Sequence, residues 1–206
     1  AAFDLKQYVS PTTGTFVGDH TTGTSFDPQV VGSYSITYSV LENVCSTNKQ
    51  VPVKVNELPT VELTVNPVEC VNTGAATFVA SPAGGTLWID NNTATVINTN
   101  DLSAGNYTIS YSYKNPTTGC SDSVFVPMEI REIPAPTVQD KSVVVTSTDL
   151  TITAIGNGGT LVWTDENSHK TTAASITHPS SAVAGSWQYC VTETDGTCTS
   201  EPACMT

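Results

Sequence analysis

Asp101-Leu-Ser-Ala-Gly-Asn-Tyr-Thr-Ile-Ser-Tyr-Ser-Tyr113, continuing through Lys114-Asn-Pro-Thr-Thr-Gly-Cys120, is the stretch on which the reading of this chain turns. From Gly105 to Tyr113 large apolar residues alternate with small polar ones, the period of two that marks a strand with one buried face. Asn115-Pro-Thr-Thr-Gly119 supplies turn chemistry, and Ser123-Val-Phe-Val126 reads as the return strand. The pattern occurs twice more, as Gly32-Ser-Tyr34-Ser-Ile36-Thr-Tyr38 with Cys45, and as Gly185-Ser-Trp187-Gln-Tyr189-Cys-Val191 with Cys198. A hairpin that recurs three times is a unit of architecture before it is a unit of chemistry.

Working outward, a second matched block precedes each hairpin: Gly14-Thr-Phe16, Gly84-Gly-Thr-Leu87 and Gly158-Gly-Thr-Leu161. Ser10-Pro11 and Ser81-Pro82 match as well. The spacing is 71 residues from Gly14 to Gly85, 74 from Gly85 to Gly159, 73 from Gly32 to Gly105 and 80 from Gly105 to Gly185. A nearly fixed period with variable loops indicates tandem domains, each folding around its own core. The proline-containing segments Glu57-Leu-Pro-Thr60 and Glu132-Ile-Pro-Ala-Pro-Thr137 set the boundaries, giving repeats over 1–57, 58–136 and 137–206. In the second repeat, strands are expected at Val61–Val65, Ala76–Ala80, Thr86–Ile89, 105–113 and 122–130. No segment carries a capped helical period. About seven short strands per repeat predict an all-β fold of sandwiches placed end to end. Only seven residues precede Tyr8, so the first repeat lacks its opening strand. Either the fragment starts inside that domain, the preferred reading, or the sheet edge stays open to strand addition from a neighbour.

Of the 206 residues, 19 are acidic and only seven are Lys or Arg, for a net charge of −12. That balance argues against a nucleic-acid partner, whose phosphates demand cationic side chains, and against anionic lipid. No apolar run approaches the roughly 18 residues that span a bilayer, so no direct membrane insertion is expected. Six cysteines without CxxC or Cys/His zinc spacing point to disulfides in an exported protein.

Asp101-Leu-Ser-Ala-Gly-Asn-Tyr107 resembles the tyrosine corner of immunoglobulin-like domains, in which a Tyr hydroxyl bonds back to the chain at the entry to the penultimate strand. Gly-x-Tyr-x-Ile-x-Tyr, then Gly119-Cys-Ser121, then a Val-rich strand with Pro127, resembles the Ig-like and PKD-like repeats of large Bacteroidetes surface proteins. Tyr189-Cys-Val-Thr-Glu-Thr-Asp-Gly-Thr-Cys-Thr-Ser-Glu-Pro202 is similar to their final hairpin. The resemblance covers nearly the whole chain through short motifs. It implies a non-enzymatic segment of a cell-surface adhesin of the gliding-motility type, exported by type IX secretion. Such a segment would act as a stalk or spacer, with neighbouring repeats of the same chain as partners and surface polysaccharide or glycan as a further one. The competing reading is a carbohydrate-binding or accessory module of a secreted polysaccharide-degrading enzyme.

Cys45, Cys120 and Cys198 occupy equivalent hairpin positions. Cys70 lies between the first two strands of the second repeat, and a Cys70–Cys120 bond is expected to tie one end of that sandwich. Cys45 is expected to be unpaired. In the third repeat Cys204 pairs with Cys190, with Cys198, or with neither; Asp195-Gly196 as the turn favours Cys190–Cys204. His20, His169 and His178 share no metal-ligand spacing, with His20 and His178 placed in loops. No DxDxDG loop occurs, so no dedicated metal site is expected. No cofactor is expected either, with calcium held between domains by loop carboxylates kept as an open alternative. No Gly-x-Ser-x-Gly elbow is present, and Gly156-Asn-Gly-Gly159 reads as a turn between strands rather than a phosphate loop. No catalytic residue is expected. Trp163 and Trp187 are assigned to the core. Trp88 points away from Leu87 and Ile89 and is the candidate binding residue, able to stack on a sugar. Segments that differ between repeats, 18–28, 90–100 and 164–178, are the expected location of any binding surface.

Overall fold

The computed structural model describes residues 2–141, 148–180 and 185–206. Strand pairing follows the alternation of the sequence. The recurring hairpin pairs Gly32–Glu42 with Cys45–Val55 along its full length, and Gly105–Lys114 with Ser121–Arg131. Its third copy is shorter, Tyr189–Thr194 with Ala203–Met205. Among the described residues each sheet draws its strands from one repeat only. Among the described residues the regular structure is strand, apart from two short 3-10 turns, Leu5–Tyr8 and Thr99–Asp101.

The second repeat displays the sandwich most fully. One sheet runs in the order Asn92–Ala94, Thr86–Ile89, Gly105–Lys114, Ser121–Arg131, Val68–Cys70. The facing layer contains Glu62–Val65 paired with Phe78–Ser81, and Ala75–Ala76 paired with Ile97–Asn98. Alternate residues of both layers are buried: Leu63, Val65 and Ile97 from one, and Leu87, Ile109, Tyr111, Met128 and Ile130 from the other. Two layers sharing one apolar interior are what a one-faced strand pattern requires. In the third repeat Ile152, on the sheet of Leu150–Thr153 and Ser175–His178, packs with Trp163, Val191 and Met205 from the four-stranded sheet. Trp163 is 1% exposed, and its indole N–H donates to the Ala173 carbonyl at 3.0 Å. In the first repeat Phe26 lies on one sheet and Ile36 and Tyr38 on the other, all three buried.

The tyrosine corner forms twice. Tyr34 donates to the Val30 carbonyl at 2.8 Å, and Tyr107 to the Ser103 carbonyl at 2.9 Å, each four residues upstream. With the paired sheets, this makes the fold an immunoglobulin-like β-sandwich. Trp187 holds the equivalent place in the third repeat and has no hydroxyl to donate. Expected in the core, it is only half-buried, with its ring centroid 4.4 Å from that of His178.

By packing, the chain divides into two compact units, one of residues 1–61 with 112–122 and the other of 62–111 with 123–206. The third repeat and most of the second therefore belong to the second unit, while residues 112–122 of the second repeat belong to the first. In the first repeat the residues matching Phe78–Ser81 do not extend the sandwich: the 3-10 turn Leu5–Tyr8 overlaps them, and Tyr8 is 70% exposed. A strand needs a partner, and the counterpart of Glu62–Val65 is not among the described residues.

Candidate functional site

Within the second unit, the chemistry-bearing side chains gather where the second repeat meets the third. The C-terminal end of Ser121–Arg131 takes on Val68–Cys70 as a parallel neighbour, with Glu129 opposite Val68 and Arg131 opposite Cys70. This register decides the disulfide. Cys120 sits just before that strand and Cys70 beside its far end, so 11 residues of extended chain, roughly 36 Å, separate their levels. A disulfide needs α-carbons within about 7 Å, which rules out the expected Cys70–Cys120 bond. Cys70 is bonded instead to Cys198 in the closing turn of the third repeat, with α-carbons 5.6 Å apart. Cys120 and Cys45 are free thiols.

Cys190 is bonded to Cys204, its direct partner across the hairpin. A two-residue Asp195-Gly196 turn would have put Cys190 near position 201. The turn is longer, because the Asp195 carboxylate accepts from the backbone N–H groups of Thr197 and Cys198, both at 2.8 Å. Those bonds, Cys198 first and Thr197 next, hold the Asp195 carboxyl below the usual carboxylate range.

Beside the Cys70–Cys198 bond, Arg131 reaches Asp195 at 3.2 Å and Glu129 at 3.1 Å. The hydrogen bond to Glu129 is the main cause raising the Arg131 pKa. Asn72 donates to Glu201 at 3.4 Å, and the Cys70 sulfur lies 3.6 Å from the Thr197 carbonyl. A groove of about 820 Å³ runs alongside, lined among others by Arg131, Pro134, Asn157, Glu193 and Asp195.

Glu193 lines this groove yet is 1% exposed. Its carboxylate accepts from the Asn157 backbone N–H at 2.7 Å, from the Gly159 N–H at 2.5 Å and from the Asn157 side chain at 3.0 Å. Asn157 also donates to the Pro134 carbonyl at 3.1 Å, tying the inter-repeat segment to the same turn. The Asn157 and then Gly159 backbone bonds lower the Glu193 pKa against the opposing effect of burial. Gly156-Asn-Gly-Gly159 is thus a turn whose N–H groups form an anion cradle, filled by the chain's own carboxylate.

The other two repeats fix the equivalent turn with a tyrosine. Tyr111 accepts from the Gly85 N–H at 2.6 Å and donates to the Pro82 carbonyl at 2.7 Å. Tyr38 accepts from the Gly14 N–H at 3.0 Å and donates to the Pro11 carbonyl. Val191 stands at the tyrosine position in the third repeat, and Glu193, two residues on along the same strand face, takes over the task. The close approach accounts for the glycines: a Cβ on Gly14 would lie 2.4 Å from the Tyr38 ring, and one on Gly159 2.8 Å from Glu193 and from the Thr194 carbonyl oxygen.

The remaining candidates lie apart. Trp88 is half-buried on Thr86–Ile89 and pairs across to Thr93. His178 is not in a loop but ends the strand Ser175–His178, because Leu150 pairs with it. Its Nδ1 lies 2.7 Å from the Tyr189 hydroxyl, and its Nε2 is buried without a partner among the described residues. These two side chains, with Trp187 and Lys141, line a cavity of about 250 Å³. Burial raises the Tyr189 pKa, aided by the charges of Asp165 and Glu166. In 164–178 the Asp165 carboxylate caps its own turn, accepting from the backbone N–H groups of Asn167 at 2.9 Å and His169 at 2.8 Å. Among the described residues no three His, Cys, Asp or Glu side chains group closely enough to hold a metal ion, and no helix is long and apolar enough to cross a membrane.

Sequence reasoning missed Arg131, Glu193 and Asp195. The available signal was the break in the third repeat, where Val191 replaces the tyrosine and an acid appears two positions later.

No protein-family model matches the chain, and no curated protein matches it. Among solved structures it is similar to domains A168–A170 of titin, at 11% identity and a TM-score of 0.33, over 96% of this chain and 83% of that one. It is also similar to immunoglobulin domains 1–4 of Sidekick-1, at 16% identity and a TM-score of 0.25, over 93% of this chain and 64% of that one. Both scores are low, and the sandwich assignment stands on the pairing and cores described above.

Proposed function

We propose that the chain is a non-enzymatic, load-bearing repeat segment of an exported surface protein, three domains over 1–57, 58–136 and 137–206 serving as stalk or spacer. The observation that carries this reading is the bond between Cys70 and Cys198. Tension applied at the ends enters the sulfur bridge at Cys70 and leaves at Cys198. The sheets between these two residues and the Glu132–Thr137 connection are thereby bypassed. The salt bridge from Arg131 to Asp195 and the tie from Asn157 to Pro134 serve the same junction. Disulfides suit an oxidising, extracellular setting. The resemblance to gliding adhesins supplies the finer form of the proposal: a cell-surface location, type IX export, and weak multivalent contact with polysaccharide.

Force spectroscopy on the termini tests the reading. With disulfides intact, unfolding should release no length from the 127 residues between Cys70 and Cys198. Reductant should add roughly 450 Å of contour at about 3.6 Å per residue. Full release without reductant would refute the load-bearing role. For the polysaccharide contact, retardation in glycan-loaded gels that Trp88→Ala abolishes would favour the carbohydrate-binding reading over a plain spacer.

A further inference from the structure

Two features of the second unit work together. Val68–Cys70 adds in parallel to the end of Ser121–Arg131, held by the Glu129 N–H to the Pro67 carbonyl at 2.9 Å and the Val71 N–H to the Arg131 carbonyl at 3.0 Å. Its last residue, Cys70, is then bonded to the closing turn of the following repeat at Cys198. A strand and a thiol thus form a two-part latch.

In the first unit both receiving halves of this latch lack a partner among the described residues. Val51-Pro-Val-Lys-Val55 aligns with Val126-Pro-Met-Glu-Ile130, so Lys54, Val55 and Asn56 stand where Glu129, Ile130 and Arg131 accept the parallel strand. Cys45–Val55 is the margin of its sheet, paired only with Gly32–Glu42 among the described residues. Met128 and Ile130 are 2% and 1% exposed, whereas the matching Val53 and Val55 are only half-buried. Cys120 is the counterpart of Cys198, free and half-buried. The turns differ in length by two residues but close in the same way: the Asn115 N–H donates to the Cys120 carbonyl at 2.8 Å, and the Asp195 N–H to the Cys198 carbonyl at 3.3 Å. In each, the Asx side chain caps the following N–H groups. The turn carrying Cys120 falls in the same compact unit as Cys45–Val55.

We propose that the edge at Lys54–Asn56 and the Cys120 thiol together form a docking site for an extended apolar-x-Cys strand. The strand adds in parallel with its cysteine opposite Asn56, and that cysteine bonds to Cys120. The occupant is a segment of the Val61–Cys70 kind from polypeptide outside these 206 residues. A second copy cannot supply it, because its own Val68–Cys70 strand is held by Ser121–Arg131 and its Cys70 by Cys198. The proposal rests on the tandem-repeat reading and extends it, making each junction a strand insertion sealed by a disulfide.

The probe is a synthetic peptide of sequence Val61–Cys70 with its cysteine carried as a 2-thiopyridyl mixed disulfide, added to the intact protein. The Cys120 thiolate attacks the peptide sulfur, a new S–S bond forms, and thiopyridine leaves with the electron pair and takes up a proton, so no oxidant is needed. A small thiol reagent should label the exposed Cys45 first. The peptide should reverse that order, linking to Cys120 at least ten-fold faster than to Cys45 and ten-fold faster than a scrambled peptide does. Lys54→Pro, which removes the edge N–H equivalent to that of Glu129, should abolish the advantage while leaving small-reagent labelling unchanged. Equal rates for native and scrambled peptides, a retained preference for Cys45, or no effect of Lys54→Pro would overturn the proposal. Tryptic mapping of the Cys70–Cys198 link in the same sample reports separately on the tandem reading.

Discussion

At the scale of single residues, one structural task is performed by two chemistries. The Gly-rich turn must satisfy its inward N–H groups. In two repeats a tyrosine hydroxyl does so, and in the third the carboxylate of Glu193. The substitution has a pH signature. Because hydrogen bonding depresses the folded-state pKa of Glu193, its contribution to stability is present above the ordinary glutamate range and is lost as pH falls through the folded value. Glu193→Gln should therefore lower the melting temperature at neutral pH, with the gap to wild type closing below about pH 4. Tyr111→Phe leaves the Gly85 N–H without its partner and should cost about 1–3 kcal/mol at every pH between 3 and 8. Thermal melts across that range distinguish the two. Identical pH profiles for both variants would contradict the assignment of roles.

At the scale of elements, most strands were legible because alternation is a local property. Thr86–Ile89 lies as read, and Glu62–Val65, Gly105–Lys114 and Ser121–Arg131 lie within a residue or two of expectation. Tyr107 was legible as the corner because its motif spans only a few residues. The disulfide was not. Cys70 resembles a partner for Cys120 only if both stand at one end of the sandwich, and that depends on the parallel register of Val68–Cys70 beside Ser121–Arg131. Parallel pairing between distant segments leaves no periodic mark in the sequence. Trp187 was misread for a related reason. Its place in the pattern matches Tyr34 and Tyr107, but it precedes the strand Tyr189–Thr194, and its ring meets that of His178, a contact between distant segments. The pairing found has an energetic consequence. Cys70–Cys198 closes a loop spanning 128 positions, worth roughly 5 kcal/mol in the chain-entropy treatment. Cys198→Ser should therefore destabilise the second unit by several kcal/mol in denaturant titration, far more than the Cys45→Ser change at an exposed free thiol. Equal effects would contradict the staple.

At the scale of the whole molecule, repetition explains both what the chain shares and where it differs. The shared parts fold each repeat: the hairpin, the pinned turn and the buried alternate residues. The differing parts join them: Cys70 opposite a cysteine of the next repeat, Arg131 against Asp195, and Asn157 against Pro134. Under the proposed spacer role, load that enters at Cys70 leaves at Cys198 without passing through the sheets between them. The latch itself is open to direct measurement, because the seven Lys and Arg residues place the cysteines in separable tryptic peptides. Cys70 falls in 55–114, Cys120 in 115–131, Cys45 in 7–49, and Cys190, Cys198 and Cys204 together in 171–206. Mass spectrometry of a non-reduced, alkylated tryptic digest should find 55–114 linked to 171–206, with 7–49 and 115–131 carrying alkylated thiols. A link between 55–114 and 115–131 would contradict the latched junction.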